Sequence, residues 1–357
     1  SSALVVTILK SGGLSPSFVI GGEICGLGNS EVGSGEYLIV EACEYRRSFL
    51  AYYPEIAVIT SVEEDHLDYY RDLSEIQEAF GCFAARVRPE GALIVCAEDK
   101  RALHCAGAAV ARVITYGFNG ADWQAGSVTE SAGGISFECF FRCEFFGSFS
   151  LPLLGRHNVL NALGAIAVGK ELGLTAETLS RALASFPGVH RRLEKIAEVG
   201  EVIIMDDYGH HPTEIRATLL ALRGRYPQRR VIVIFQPHQY SRTRFLLEDF
   251  AASFNLADKV IVPDIYFVRD SEREKQLVNA GMLAEKIRGH GRQALYLPTA
   301  TEIIAYLKEI VKPGDLVITI GAGPINRVGW QFAQELQKKV LASPSLPEDL
   351  PAESKLT

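Results

Sequence analysis

A chain of 357 residues, 48% hydrophobic and 22% charged, has the composition of a globular protein and is long enough for two or three full-sized cores. Its formal charge of −7 excludes general nucleic-acid binding, which needs a basic face. Seven cysteines without a CxxC pair read as reduced thiols in a cytoplasmic protein with no structural zinc site, and no stretch reads as a signal peptide or membrane span.

Ser1–Lys10 reads as the middle of an amphipathic helix, with Ala3, Leu4, Ile8 and Leu9 on one side and no capping run ahead of it. The expectation is that a segment precedes it. Apolar runs at Phe18–Ile20, Tyr37–Glu41, Ile56–Thr60, Ala92–Cys96 and Arg112–Tyr116 read as buried strands, with helical stretches such as Leu73–Val87 between them. That alternation predicts a mostly parallel sheet covered on both faces. Trp123–Leu151 alternates in the manner of antiparallel edge strands, and Asn158–Leu172 has helical periodicity. A hinge is expected near Phe186–Arg192. Beyond it a second α/β series has strands at Val202–Asp206, Val231–Phe235, Lys259–Val262, Ala294–Leu297 and Leu316–Ile320. The reading is therefore α/β throughout. A central, mostly parallel-sheet domain with an antiparallel edge spans 1–188, and a Rossmann-like α/β domain spans 189–341. The Pro-, Ser- and Glu-rich tail at 342–357 is expected to be disordered.

Five constellations carry chemistry. Glu41 ends one strand, and the next runs into Glu63-Glu64-Asp65-His66-Leu67-Asp68. If those strands are parallel neighbours, Glu41 and His66 reach one crevice and can share a divalent ion with phosphate oxygens; alternatively Asp65 or Asp68 caps a helix. Gly155-Arg156-His157-Asn158 opens a helix on which Asn158 and Asn161 share a face suited to a purine edge, unless Asn158 is only an N-cap. The densest run is Asp206-Asp207-Tyr208-Gly209-His210-His211-Pro212-Thr213-Glu214, directly after the apolar Val202–Met205. A strand end bearing two carboxylates and two imidazoles is where an open α/β sheet places ligands; the plainer reading is a polar loop whose aspartates cap the next helix. Phe235-Gln236-Pro237-His238-Gln239-Tyr240-Ser241-Arg242-Thr243 follows another apolar strand, and its Arg, His and hydroxyls can hold a carboxylate or phosphate. Gly321-Ala322-Gly323 follows the last strand and can bring backbone N–H groups close to an anion.

The Asp206–Glu214 and Phe235–Thr243 runs, Gly155–Asn161 and the Glu41/His66 pair together resemble the Mur ligases of peptidoglycan synthesis. Within that family the two runs point to the branch acting on UDP-N-acetylmuramate and L-alanine; a ligase that recycles intact murein tripeptide is similar in the first run and departs in the second. The resemblance implies three domains, binding UDP, ATP and the amino acid, of which this sequence resembles the last two. It also implies a GTxGK[ST] phosphate loop just before Ser1, so the chain alone is expected to be inactive.

Carried over by position, Glu41 and His66 match metal ligands for Mg2+ or Mn2+. His157, Asn158 and Asn161 match the adenine side of ATP, Asp207 the ribose side, and Arg192 an arginine near the phosphates. Tyr208, His210, His211, His238 and Arg242, with Gly321 and Gly323, fall where L-alanine and an acyl phosphate meet. Catalytic roles are expected for His210, favoured as the base, and for Arg192, His238 and Arg242. Two further readings stay open: a non-catalytic module holding a nucleotide or amino acid, and a dinucleotide oxidoreductase. The second lacks a strand–GxGxxG–helix unit opening either domain.

Overall fold

The computed structural model describes residues 1–342 except residues 132 and 269; the tail expected to be disordered lies, from residue 343 on, outside the described residues. The first half runs α1 (Ser2–Ser11), β1 (Ser17–Ile24), β2 (Gly28–Glu31), β3 (Leu38–Val40), a 3-10 turn at Tyr45–Ala51, β4 (Ile56–Ile59), α2 (Leu73–Ala84), β5 (Ala92–Cys96), α3 (Lys100–Ala106) and β6 (Arg112–Gly117). It closes with β7 (Trp123–Ser131), β8 (Gly134–Phe141), β9 (Glu144–Leu151), α4 (Arg156–Glu171) and α5 (Ala176–Ala184). The expected sheet is present as a six-stranded layer in the order β4-β5-β6-β7-β8-β9, parallel from β4 to β7 and antiparallel beyond.

The departure concerns the first two expected strands. β1 and β3 pair with each other, parallel, and with β2 form a separate three-stranded sheet. β3 and β4 are therefore not sheet neighbours. The apolar runs are equally strand-like, but Tyr45–Ala51 turns the chain between them, with Arg46 and Arg47 in the left-handed region at φ 53° and 58°. Sequence periodicity does not report such a turn.

Helix α1 is buried along Ala3, Leu4, Val5, Val6, Ile8 and Leu9, wider than one amphipathic stripe, because α4 and α5 pack on it. A Cβ at Gly169 would lie 2.4 Å from Leu179 Cδ2 and 3.0 Å from Ile8 Cγ2, so any larger residue would displace the side chains through which these three helices meet. One core lies between this layer and the sheet; a second, around Phe49, Phe83 and Leu93, lies under α2 and α3 on the other face.

The second half comprises β10 (Glu194–Val199), β11 (Val202–Asp207), α6 (Pro212–Arg225), β12 (Val231–Phe235), α7 (Tyr240–Phe245), α8 (Leu247–Ala252) and β13 (Lys259–Val262). It continues with α9 (Glu272–Leu277), α10 (Ala280–Gly289), β14 (Gln293–Tyr296), α11 (Ala300–Ile310), β15 (Leu316–Ile320) and α12 (Asn326–Ala342). Its sheet has the order β10-β11-β15-β12-β13-β14 and is parallel except for the β10 edge. β12 and β15 are buried along their whole length, as their unbroken apolar runs predict for a sheet covered on both faces. The crossing between the halves is anchored at both ends. Gly188 O accepts from Cys25 N at 3.1 Å, His190 N donates to Glu23 O at 2.9 Å, and Arg191 O accepts from Tyr208 N at 2.6 Å.

Candidate functional site

The register of the second sheet brings its motifs together. Asp207 on β11 and Phe235 on β12 both lie opposite Ile320 on β15, so the Asp206–Glu214 run, the Phe235–Thr243 run and the Gly321–Gly323 turn leave one edge side by side. Gly321 has φ 149°, and a Cβ there would lie 2.7 Å from Gln236 O; at Gly323 one would lie 2.5 Å from Gln236 Oε1. The turn is packed on Gln236: glycine is required at Gly321 by its positive φ and the backbone contact, and a side chain at Gly323 would displace the Gln236 amide.

Arg191, whose role the sequence did not signal, secures this edge. Its Nε donates to Asp206 Oδ2 at 2.8 Å, and its Nη2 donates to the carbonyls of Gly321 and Gly323 at 2.6 and 3.1 Å. Asp206 also accepts from Thr319 Oγ1 at 2.6 Å. Asp207 Oδ2 accepts from Leu193 N and its Oδ1 from Gly209 N, both at 2.9 Å, and burial still pushes its carboxyl up to about 6. Tyr208 stands with the Arg191 and Arg192 guanidinium carbons 5.1 and 5.4 Å from its ring centroid.

His211, not an aspartate, is the N-cap of α6, and Glu214 Oε2 closes a capping box by accepting from His210 N and His211 N at 2.8 and 3.1 Å. The His211 ring reaches the first half: Nδ1 lies 2.9 Å from Glu63 Oε2, and Nε2 lies 3.2 Å from Glu64 O. Burial lowers the His211 pKa, but the Glu63 hydrogen bond, the charges of Glu63 and Asp65 and the Glu64 carbonyl together more than offset it, and the pKa rises. Nδ1 lies between two partners, 2.9 Å from Glu63 Oε2 and 3.4 Å from Thr213 N; with its proton toward Glu63 the box is closed by Glu214, and with the other tautomer His211 accepts from Thr213 N as well. His210 behaves oppositely: burial lowers its pKa in spite of Glu214. Its Nδ1 donates to Tyr208 O at 3.3 Å, so the neutral ring keeps its lone pair on Nε2.

Arg242 is 7% exposed at the start of α7. Its Nε and Nη2 both donate to Asp65 Oδ1, at 2.9 and 2.6 Å, from the other half of the molecule, and its Nη1 lies 3.3 Å from His238 Nδ1. The His238 ring centroid lies 5.6 Å from Tyr266 and 6.0 Å from His210. Burial opposes ionisation of Asp65, yet Arg242 and His66 hold its carboxyl down at about 2. His66, with φ 55°, places Nε2 3.1 Å from Glu44 Oε1 and 3.9 Å from Asp65 Oδ2. Glu44, Asp65 and His66 each offer a ligand atom, all within 4.8 Å of one another.

The remaining expected residues lie around the start of α4. His157 is buried enough, with Arg192 near it, to be lowered to about 4. Gly155, not Asn158, is the N-cap of α4; Asn158 Nδ2 donates to Leu154 O at 2.8 Å, and Asn161 Nδ2 donates to Asn158 Oδ1 at 3.1 Å. Arg192 is half exposed, 3.6 Å from Glu214. Glu41 follows β3, exposed, with Oε1 2.6 Å from where a Gly21 Cβ would stand. Since β3 and β4 belong to different sheets, the neighbouring-strand arrangement expected to bring Glu41 and His66 to one crevice is absent; among the described residues His66 groups with Glu44 and Asp65. Neither Asp65 nor Asp68 caps α2, whose N-cap is Asp72. A cavity of about 770 Å³, lined by Tyr45, Arg46, Asp68, Tyr69, Ser241 and Phe245 among others, opens beside Leu67; from the 63–68 and 235–243 runs it takes Leu67, Asp68 and Ser241, while Arg242 and His66 stay outside its lining.

Comparison with known proteins gives consistent matches. Residues 28–169 match the Mur ligase middle domain, and residues 191–323 match the Mur ligase, glutamate ligase domain. The chain is 43% identical to a UDP-N-acetylmuramate--L-alanine ligase of Caldanaerobacter subterraneus over 95% of its own length and 74% of that protein. It is 42% identical to the enzyme of the same name from Desulfosudis oleivorans, over 92% of this chain and 72% of that protein. Among solved structures, the UDP-N-acetylmuramate-alanine ligase of Thermotoga maritima superposes with a TM-score of 0.77 at 26% identity, over 95% of this chain and 73% of that one.

Proposed function

The chain belongs to the Mur ligase family, ATP-dependent ligases of peptidoglycan synthesis, and on that premise we propose that it joins L-alanine to UDP-N-acetylmuramate in the cytoplasm. The observation that supports this reading best is the single edge on which Asp207, His210, His238, Arg242 and the Gly321–Gly323 turn assemble, facing Asp65 and His66 of the other half. Joining a carboxylate to an amine is uphill in water. The γ-phosphoryl group of ATP therefore passes to the lactyl carboxylate, the alanine amine attacks the acyl phosphate, and phosphate leaves from the tetrahedral intermediate.

The γ-phosphate and the carboxylate repel each other, and Arg192 beside Tyr208 is the guanidinium assigned to offset that charge. A divalent ion, Mg2+ or Mn2+, would supply the same service when bound. Among the described residues the Glu41 carboxylate has no hydrogen-bond partner, and the His66 imidazole lies between the Glu44 and Asp65 carboxylates and the Tyr45 ring, so Glu41 and His66 would hold the ion once His66 gives up its proton. His157, Asn158 and Asn161 take the adenine side and Asp207 the ribose. Arg242 and His238 hold the alanine carboxylate, with Tyr208, His211 and the Gly321–Gly323 turn around it. His210 Nε2, neutral and unprotonated, takes the proton from the amine.

The test is ADP release by the purified protein, alone and with a GTxGK[ST]-bearing segment joined ahead of Ser1, with ATP, UDP-N-acetylmuramate and L-alanine each omitted in turn. Release that requires all three supports the reading. Turnover with a murein tripeptide and not with L-alanine would reassign the substrate, and release insensitive to both acceptors would overturn the proposal.

A further inference from the structure

Arg242 is the buried guanidinium to which the preceding section assigns the amino-acid carboxylate, and in the folded chain it already holds a carboxylate. Both its Nε and its Nη2 donate to one oxygen, Asp65 Oδ1, at 2.9 and 2.6 Å, while Asp65 belongs to the opposite half and lies 177 residues away in sequence. The same Oδ1 accepts from His66 N at 2.6 Å, so the carboxylate is presented by a fixed loop and is not a surface side chain that happens to reach across. At 7% exposure Arg242 has little water to fall back on, and a charge so placed needs an anion.

We propose that Asp65 is an internal stand-in for the substrate carboxylate on Arg242, and so sets the affinity for the amino acid: L-alanine binds by displacing it. This rests on the reading that Arg242 holds that carboxylate. A direct consequence follows. Removing the Asp65 charge leaves Arg242 without its resident anion, and the strain of the empty state is returned as tighter binding of an incoming carboxylate.

The experiment is calorimetric titration of the full chain and its Asp65→Asn variant with L-alanine and with L-alaninamide, which keeps the methyl and amine and lacks the carboxylate. Asp65→Asn should bind L-alanine about threefold to tenfold more tightly, the upper figure corresponding to about 1.4 kcal/mol, with no gain for L-alaninamide. Asp65→Glu, which retains charge and reach, should stay within about twofold of the parent on the same scale. Weaker or equal L-alanine binding by Asp65→Asn overturns the inference, as does an equal gain for both ligands. L-alanine binding to neither protein would overturn the assignment of Arg242 as well. Should Asp65→Asn fail to fold, the parent chain carries the test through the Nε–H resonance of Arg242. That resonance should shift on adding L-alanine and not on adding L-alaninamide, and a resonance unmoved by bound L-alanine overturns the proposal.

Discussion

Two neighbouring histidines show how local contacts divide labour at residue scale. His210 is buried without a close carboxylate partner on Nε2, and its pKa is lowered; as a base it stays unprotonated across the neutral range, so the acid limb of turnover should lie below the ordinary imidazole value of 6.5. His210→Ala should lower kcat by about 10²- to 10⁴-fold and leave ATP affinity nearly unchanged, measured by steady-state kinetics and nucleotide titration. A variant with parental kcat would remove the base role. Arg191 serves structure first. Its partner Asp206 is 1% exposed, and the guanidinium also donates to two glycine carbonyls. Arg191→Lys cannot reproduce that fork and should cost about 2–4 kcal/mol in denaturant unfolding; a loss under about 1 kcal/mol, the scale of a surface pair, would show the fork to be dispensable. Two adjacent arginines look alike in sequence until the fold points Arg191 at Asp206 and Arg192 at Glu214 and the Tyr208 ring.

At the scale of elements, the cap of α6 also fastens the first half through His211 and Glu63. The sign of its pH dependence follows from both partners. The raised His211 pKa contributes stability that is fully present below the unfolded value of 6.5 and is lost as pH rises through the folded value. The depressed Glu63 pKa contributes stability present above 4.5 and lost as pH falls through its folded value. The pair is therefore at full strength between those two ordinary values. Glu63→Gln should cost about 0.5–1.5 kcal/mol there, and the difference from the parent should fade in alkaline buffer, followed by thermal melts from pH 5 to pH 9. A difference independent of pH would mean that packing, not charge, is lost. Apolar elements were legible in advance: β12, β13 and β15 lie where unbroken aliphatic runs end at polar clusters, and β7 to β9 where alternation replaces them. β10 was not legible, because Glu194-Lys195-Ile196-Ala197-Glu198-Val199 is half solvated and pairs only on one side. The three-stranded sheet was missed for a different reason, since pairing partners depend on turns and not on strand propensity.

Across the whole molecule, the contacts between halves are those the sequence showed least. The runs containing Arg242 and Asp65 each stood out, but nothing in either spelled the other. Among the described residues two ion pairs join the halves, Arg242 with Asp65 and His211 with Glu63. Because they act on the same pair of bodies, losing one leaves the other to hold, so the double variant His211→Ala/Arg242→Ala should expand the molecule in small-angle scattering by more than the two single changes added together. Additive changes would mean that the ties hold independently. The crossing at Gly188–Arg191 sets a further condition. Since Gly188 O and His190 N are paired to the first half and Arg191 O to the second, its length is set to the residue, and the halves are not beads on a loose tether. A chimaera exchanging halves between relatives should therefore keep 188–193 whole, matched at one end to Glu23 and Cys25 of the first half and at the other to Tyr208 of the second. A cut inside that stretch would hand each parent's half a strap made for someone else.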